Sequence, residues 1–148
     1  MNRTTDYLVG IRRIIKLQES MLKEYICQPY GLSLTEAAVI SFLYNNPGKD
    51  TAADIVELRM LQKGNVSQAV EALVQKSFLQ RRQDEEDRRK IHLSLTEESK
   101  TIVDTVESLN REFQMTVFQG ISEKELAVFQ EVNAKITHNV QRAMKRQL

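Results

Sequence analysis

Cysteine is nearly absent from this chain of 148 residues, in which Cys27 is the single one. One cysteine cannot form a disulfide within the chain, and this is typical of proteins from a reducing compartment. Long apolar runs are absent as well. None reaches the roughly 18 residues that a membrane-spanning helix needs, and residues 1–10 lack the uninterrupted hydrophobic core of a signal peptide. We therefore expect a cytoplasmic protein without a membrane partner.

The sequence also lacks the motifs that mark most enzymes. It has no glycine-rich phosphate loop, no nucleophile elbow and no cluster of metal-ligating side chains. The two histidines, His92 and His138, lie far apart and have no clustered Cys, Asp or Glu beside them. We predict no catalytic residue, no cofactor and no metal site, and we expect His92 to be a polar surface residue.

A large excess of charge of one sign is missing too, since 21 basic and 20 acidic residues give a formal net charge of +1. This balance excludes a protein that binds nucleic acid through a uniformly basic surface. Any affinity for DNA must come from the positions of particular basic residues. The sequence has no internal repeats or low-complexity segments, and residues 1–148 have the length of a single domain.

Apolar residues recur at helical spacing along much of the chain. The segment from Asp6 to Cys27 has more apolar surface than one core-facing stripe requires, and a second long stripe runs from Leu126 to Met144. We therefore predict that the terminal helices, residues 1–30 and 118–148, form the interface of a homodimer. A long connecting helix, residues 97–118, is predicted to begin at the N-cap Thr96. Capping boxes mark three other helix starts: Ser33 with Glu36, Thr51 with Asp54, and Ser122 with Glu125.

Residues 33–96 carry the most informative pattern. Two short helical segments, Thr51 to Leu58 and Gly64 to Lys76, follow one another closely. The spacing then changes to the alternation of a β-hairpin, Leu79 to Thr96, whose tip is entirely charged. This order predicts a mainly α-helical fold with a small β-hairpin wing, a winged helix-turn-helix. In such a fold the second helix, here called the recognition helix, enters the major groove of DNA.

The recognition helix has two chemically different faces. We predict that its inward face consists of Val66, Ala69, Val70, Leu73 and Val74. Polar positions on the other face and basic residues of the wing are predicted to contact DNA: Lys63, Asn65, Ser67, Gln68, Arg81, Arg82, Arg88, Arg89 and Lys90. Asp87 is predicted to orient a wing arginine.

At these positions the chain resembles the multiple antibiotic resistance regulator (MarR) family of winged-helix transcription factors. The resemblance rests on two sets of residues: Asp87, Arg88, Arg89, Leu95 and Thr96 in the wing, and Val66, Ser67, Leu73, Phe78, Leu79 and Arg81 before it. It implies an obligate homodimer that reads an operator through the recognition helix, with Arg89 in or beside the minor groove. It also implies release of DNA by a small aromatic or anionic effector or by an oxidant.

The sequence departs from the family pattern at two positions. Gln68 stands where many relatives carry arginine, so a phosphate-binding charge is replaced by a side chain that is able to pair with adenine. Ser77 stands where glycine usually follows the recognition helix. Because a left-handed residue at this position favours glycine, we expect the helix to end by another geometry.

The sequence as a whole predicts a sequence-specific DNA-binding transcriptional regulator, a repressor that occupies a pseudo-palindromic operator as a homodimer. Two alternatives stay open. One is a winged-helix protein-interaction module, since residues 50–96 contain eight basic and eight acidic side chains. The other is a redox-responsive regulator that uses Cys27, although a cysteine in an apolar helix is more often a small buried hydrophobe.

Overall fold

A computed structural model describes residues 2–147 of the chain. Met1 and Leu148, the outermost residues of the predicted dimerisation helices, lie outside this range. The described part is mainly α-helical with one β-hairpin, which confirms the predicted fold class. In chain order the elements are α1 (Arg3–Leu22), α2 (Leu34–Asn45), α3 (Ala52–Arg59), α4 (Lys63–Gln75), β1 (Leu79–Gln83), β2 (Ile91–Leu95), α5 (Lys100–Val117) and α6 (Glu123–Gln147). The residues group into two compact units, one ending at Glu112 and one beginning at Phe113.

The first helix is longer than the apolar pattern indicated. Beyond α1 the chain continues through a π-helical turn (Lys23–Cys27) and a last helical turn (Gln28–Tyr30), and it ends at Gly31 with φ 63°. Three apolar side chains near the π-helical turn are buried: Met21, Leu22 and Ile26. Most large apolar side chains nearer the N-terminus are exposed: Tyr7, Leu8, Ile14, Ile15 and Leu17. The N-terminal part of α1 therefore presents an apolar surface within the first unit.

Helices α2, α3 and α4 form the helix-turn-helix, and their apolar faces make the core of the first unit. All three predicted capping boxes are present: Ser33 and Glu36 begin α2, Thr51 and Asp54 begin α3, and Ser122 and Glu125 begin α6. Helix α2 is apolar on most sides, which is typical of a helix that neighbours cover all round. Helix α4 packs against α2 and α3. Of its predicted inward face, Val66, Ala69, Val70 and Leu73 are buried and Val74 is half-buried.

The recognition helix ends in a left-handed residue after all, so our expectation of another geometry is wrong. Ser77 has φ 68°. Its backbone N–H donates to the carbonyl of Val74 at 3.0 Å, and the N–H of Phe78 donates to the carbonyl of Leu73 at 2.9 Å. These two bonds form a Schellman motif, in which glycine is the usual left-handed residue. The hydrogen bonds of the motif keep serine in a conformation that is unfavourable for it.

The wing is an antiparallel hairpin in which Leu79 pairs with Leu95, Arg81 with Leu93 and Gln83 with Ile91. It is attached to the helix-turn-helix at the loop before α3, because the N–H of Leu93 donates to the carbonyl of Asp50 at 2.8 Å. Buried Leu79 and Leu93 add to the core. The hairpin is therefore held by the rest of the first unit along part of its length, while its tip projects.

The expectation that Thr96 caps the long helix is wrong. Its hydroxyl donates to the carbonyl of Ser77, and its backbone precedes a 3-10 turn, Glu97–Ser99, without a side-chain cap bond. Helix α5 begins only at Lys100. Thr96 therefore supports the junction between the recognition helix and the wing.

The last helix carries an apolar stripe whose large side chains are mostly exposed within the described residues. From residue 123 to residue 146 no side chain of α6 is buried. Five large apolar residues of this helix are exposed: Val128, Phe129, Val132, Val140 and Met144. Phe118 and Phe129 approach one another within the second unit, with ring centroids 6.1 Å apart. Over the described range, no helix combines the length and apolar character needed to cross a membrane.

Candidate nucleic-acid interface

The predicted recognition residues lie together on the exposed surface of α4. Lys63 is the first residue of the helix, and Asn65, Ser67 and Gln68 follow within its first two turns. All four are exposed. This surface lies opposite the buried face that anchors α4 to the core, so the helix presents a row of hydrogen-bonding groups to solvent.

Arg81 of the wing is paired with the recognition helix. Its guanidinium donates to the carboxylate of Glu71, which also accepts a bond from the amide of Gln75 at 3.2 Å. The hydrogen bond and charge of Arg81 lower the pKa of Glu71. Arg81 therefore joins β1 to α4, and a phosphate contact by this residue, which stays a prediction, would compete with Glu71.

The tip of the wing carries Arg88, Arg89 and Lys90 on an exposed turn. The side chain of Arg89 is 94% exposed. Asp87 accepts a bond from the backbone N–H of Arg89 at 3.0 Å, and the same carboxylate oxygen lies 3.5 Å from its Nε. Asp87 is thus close enough to orient Arg89, and the orienting role itself stays a prediction.

His92 is a residue whose importance the sequence did not reveal. Its side chain is 16% exposed, so our expectation of a polar surface residue is wrong. Nδ1 lies 2.8 Å from a carboxylate oxygen of Asp50, and Nε2 lies 2.7 Å from one of Asp84. The bonds to Asp84 and Asp50 raise the pKa of His92, while the bond from His92 and two backbone N–H groups hold the pKa of Asp84 well below its usual range. Asp50 is 42 residues away along the chain, so no local pattern indicates this contact.

Glu36 is a second residue with an unpredicted contact. Besides accepting the N–H of Ser33 in the capping box, its carboxylate lies 2.9 Å from Nζ of Lys76 at the end of the recognition helix. Burial opposes ionisation of Glu36, but the bonds from Lys76 and Ser33 outweigh it and lower its pKa. The start of α2 is thereby tied to the end of α4.

Cys27 is partly buried at the end of the π-helical turn. Burial raises the pKa of its thiol, although the charge of Lys23 opposes this effect. A raised pKa reduces the reactive thiolate fraction, so the surroundings of Cys27 do not favour the redox alternative. Residues 2–147 contain no group of three or more side chains arranged to hold a metal ion.

Comparison with known proteins gives the same family as the motifs. A sequence model of the MarR family matches residues 30–90. The chain is 27% identical over 119 residues to the uncharacterized HTH-type transcriptional regulator YkoM of Bacillus subtilis, covering 80% of this chain and 75% of that protein. In fold it resembles a MarR family regulator from Silicibacter pomeroyi, with a TM-score of 0.77, 22% identity and coverage of 92% and 89% of the two chains.

A further structural neighbour is BpsR of Bordetella bronchiseptica, whose structure concerns regulation of its DNA binding by 6-hydroxynicotinic acid. It has a TM-score of 0.65, 18% identity and coverage of 93% of this chain and 96% of that one. At such identities the structural matches establish the fold, while the sequence matches connect this fold to transcriptional regulators. Residues 30–90 are thus similar in sequence to the MarR family of transcriptional regulators, and the chain has the fold of MarR family structures.

Proposed function

We propose that this protein is a sequence-specific DNA-binding repressor that occupies a pseudo-palindromic operator as a homodimer. The observation that supports this most strongly is the exposed polar surface of α4 beside a wing with exposed arginines at its tip. A helix with its polar face free fits the major groove, and a wing beside it reaches the flanking backbone. The wing tip is not basic overall, since residues 84–90 contain three basic and four acidic side chains, so its affinity for DNA depends on the positions of the arginines.

Each predicted contact has a separate role in this proposal. Asn65, Ser67 and Gln68 meet base edges or phosphates, and Gln68 has the two-headed amide that pairs with N6 and N7 of adenine. Lys63 binds phosphate near the start of α4. On the wing, Arg89 enters or lines the minor groove with Asp87 orienting it. The other cationic residues of the wing bind phosphate: Arg81, Arg82, Arg88 and Lys90.

The homodimer is supported by the exposed apolar surfaces of α1 and α6, considered separately. Exposed apolar stripes of this length are costly in water and mark interaction surfaces. A two-fold dimer would cover them and would also place two recognition helices about one DNA turn, roughly 34 Å, apart. This arrangement matches a pseudo-palindromic site.

Release by a small aromatic or anionic effector is part of the same proposal. Its support is the structural similarity to BpsR, which is regulated by 6-hydroxynicotinic acid. We place the protein in the cytoplasm, where a regulator of this kind meets its DNA.

The proposed function is tested by selecting, from a pool of random DNA duplexes, those that the purified protein binds. A repressor of this kind enriches a sequence with two related half-sites about one helical turn apart. A protein-interaction module with the winged fold would enrich no sequence and would not bind random duplex at low salt, where nonspecific phosphate contacts are strongest. The second result would overturn the proposed function.

A further inference from the structure

The hairpin and the loop before α3 meet at the imidazole of His92. This side chain belongs to β2, whereas its partners belong to two other segments: Asp50 precedes α3, and Asp84 follows β1 at the start of the wing tip. The two ring nitrogens lie 2.8 Å and 2.7 Å from carboxylate oxygens. One aromatic ring therefore connects the helix-turn-helix to the wing.

The protonation state of His92 follows from the chemistry of this bridge. A carboxylate accepts hydrogen bonds and has none to donate. A neutral imidazole carries one N–H, so it satisfies one carboxylate and turns a lone pair towards the other, whereas an imidazolium donates to both. The observed geometry is therefore that of the charged ring, and the raised pKa of His92 agrees with it.

The bridge continues from Asp84 into the wing tip. While one carboxylate oxygen of Asp84 faces His92, the other accepts the backbone N–H groups of Glu86 at 3.0 Å and Asp87 at 2.9 Å. Asp87 in turn accepts the N–H of Arg89 at 3.0 Å. A chain of hydrogen bonds thus leads from His92 to the backbone of the arginine that we place in the minor groove.

We propose that His92 is a positioning residue of the wing in its protonated form, and that its deprotonation with rising pH loosens the wing tip and weakens DNA binding. The part concerning DNA rests on the proposed function. The part concerning the wing tip rests on the geometry of the free protein alone. The two parts are therefore separable by experiment.

The direction of the pH effect follows from the groups that face the ring. Asp84 and Asp50 favour the charged form of His92, and Arg82, its cross-strand neighbour on β1, opposes it. The pKa of His92 is raised above 6.5 in the folded protein. The stabilisation of the fold by protonated His92 is therefore complete below pH 6.5 and is lost as the pH rises through the raised pKa. The pKa of Asp84 is lowered from 3.8 in the folded protein. The contribution of Asp84 to stability is therefore complete above pH 3.8 and is lost as the pH falls through the lowered pKa. The bridge is therefore strongest between about pH 4 and 6.5.

Nuclear magnetic resonance of the free protein tests the bridge without DNA. We expect the imidazole of His92 to titrate above the ordinary histidine range, and the backbone amide signals of Glu86 and Asp87 to shift with the same midpoint. A neutral His92 at pH 6, or wing-tip amides that do not follow its titration, would overturn the positioning role.

DNA affinity tests the consequence. For the wild type we expect the Kd for the duplex enriched by the selection to rise about 3- to 10-fold from about pH 6 to pH 8.5. His92→Gln removes the titrating group and should bind weakly with a nearly flat pH profile, while His138→Gln should keep the wild-type profile. A His92→Gln variant that retains the wild-type profile contradicts the inference.

Asp84→Asn provides a second variant in case His92→Gln fails to fold. An amide oxygen is still able to accept the two backbone N–H groups of the wing tip, but it no longer stabilises the imidazolium by charge. We expect the midpoint of the His92 titration to fall, together with the midpoint of the pH profile of the Kd. An unchanged midpoint overturns the bridge. If the wild type binds no duplex at any pH, the proposed function fails, and the titration of the free protein still decides the role of His92.

Discussion

At the scale of the residue, Ser77 shows how the hydrogen bonds of a helix end hold a serine in the left-handed backbone conformation, which its side chain disfavours. Its φ of 68° lies in the left-handed region, where a Cβ atom crowds the following carbonyl. The bonds of the helix end and the bond from Thr96 to its carbonyl hold the backbone there. The chain therefore carries strain at the junction of the recognition helix and the wing.

Ser77→Gly should stabilise the protein by about 0.5 to 1 kcal/mol, because glycine adopts this conformation without the Cβ penalty. Chemical denaturation gives the free energy of unfolding. The same replacement at Ser108, an exposed position inside α5, is the matched control. There glycine should destabilise the helix by about 0.5 to 1 kcal/mol. A destabilised Ser77→Gly variant would show that the left-handed residue is not strained.

Glu36→Ala should destabilise the protein by about 2 kcal/mol, since it removes both a capping contact and a charge-assisted bond to Lys76. The capping box of α3 gives the control, because Asp54 makes the same backbone contacts without a salt bridge. Asp54→Ala should cost about 0.5 kcal/mol. Equal losses of unfolding free energy in the two variants would indicate that the contact with Lys76 adds nothing.

At the scale of the element, the recognition helix and the wing have different tasks in the proposed complex. Helix α4 is fixed by its buried face, and its exposed amides are suited to discriminate among bases. The wing tip is held by hydrogen bonds through Asp84 and Asp87, and its arginines are suited to bind phosphates of any sequence. The salt bridge between Arg81 and Glu71 joins the two elements.

Gln68→Ala and Arg89→Ala should therefore weaken DNA binding in different ways. Loss of Gln68 should change the preference at one base pair by about 1 to 3 kcal/mol if the side chain reads a base. Loss of Arg89 should weaken all sequences similarly and reduce the slope of log Kd against log salt by about one unit. Affinities for a panel of single-base operator variants at several salt concentrations separate the two effects.

Arg111→Ala is the control for charge removal, since Arg111 is exposed on α5 and pairs there with Glu107. It should leave both the affinity and the salt slope unchanged. A uniform loss of affinity in Gln68→Ala would contradict base reading by Gln68. An unchanged Kd in Arg89→Ala would contradict the role of the wing.

At the scale of the whole molecule, the exposed stripe of α6 is the feature that a homodimer would explain. Val140→Glu places a charge within this stripe and should shift the protein from dimer to monomer in sedimentation experiments, because a buried unpaired carboxylate is costly. Ala134→Glu introduces the same charge at an exposed position away from the stripe and should leave the dimer intact. A wild-type protein that sediments as a monomer would contradict the dimer and, with it, the two-half-site operator.

Much of the fold was predictable because its signals are local. A capping box spans four residues, an amphipathic helix repeats within two turns and a hairpin alternates with period two. These signals located the helix-turn-helix, the wing and the exposed face of α4. They failed at Ser77 and Thr96, where bonds between the end of one element and the end of another decide the backbone geometry.

The sequence by itself determined the helical fold with its wing, the two faces of the recognition helix and the basic residues of the wing tip. Periodicity and capping express the preferences of neighbouring residues, so no knowledge of distant contacts was required. The tertiary structure alone decided that His92 bridges Asp50 and Asp84, that Glu36 meets Lys76, and that Arg81 is paired with Glu71. These side chains lie far apart along the chain or on different elements, and packing of the core sets the distances between them.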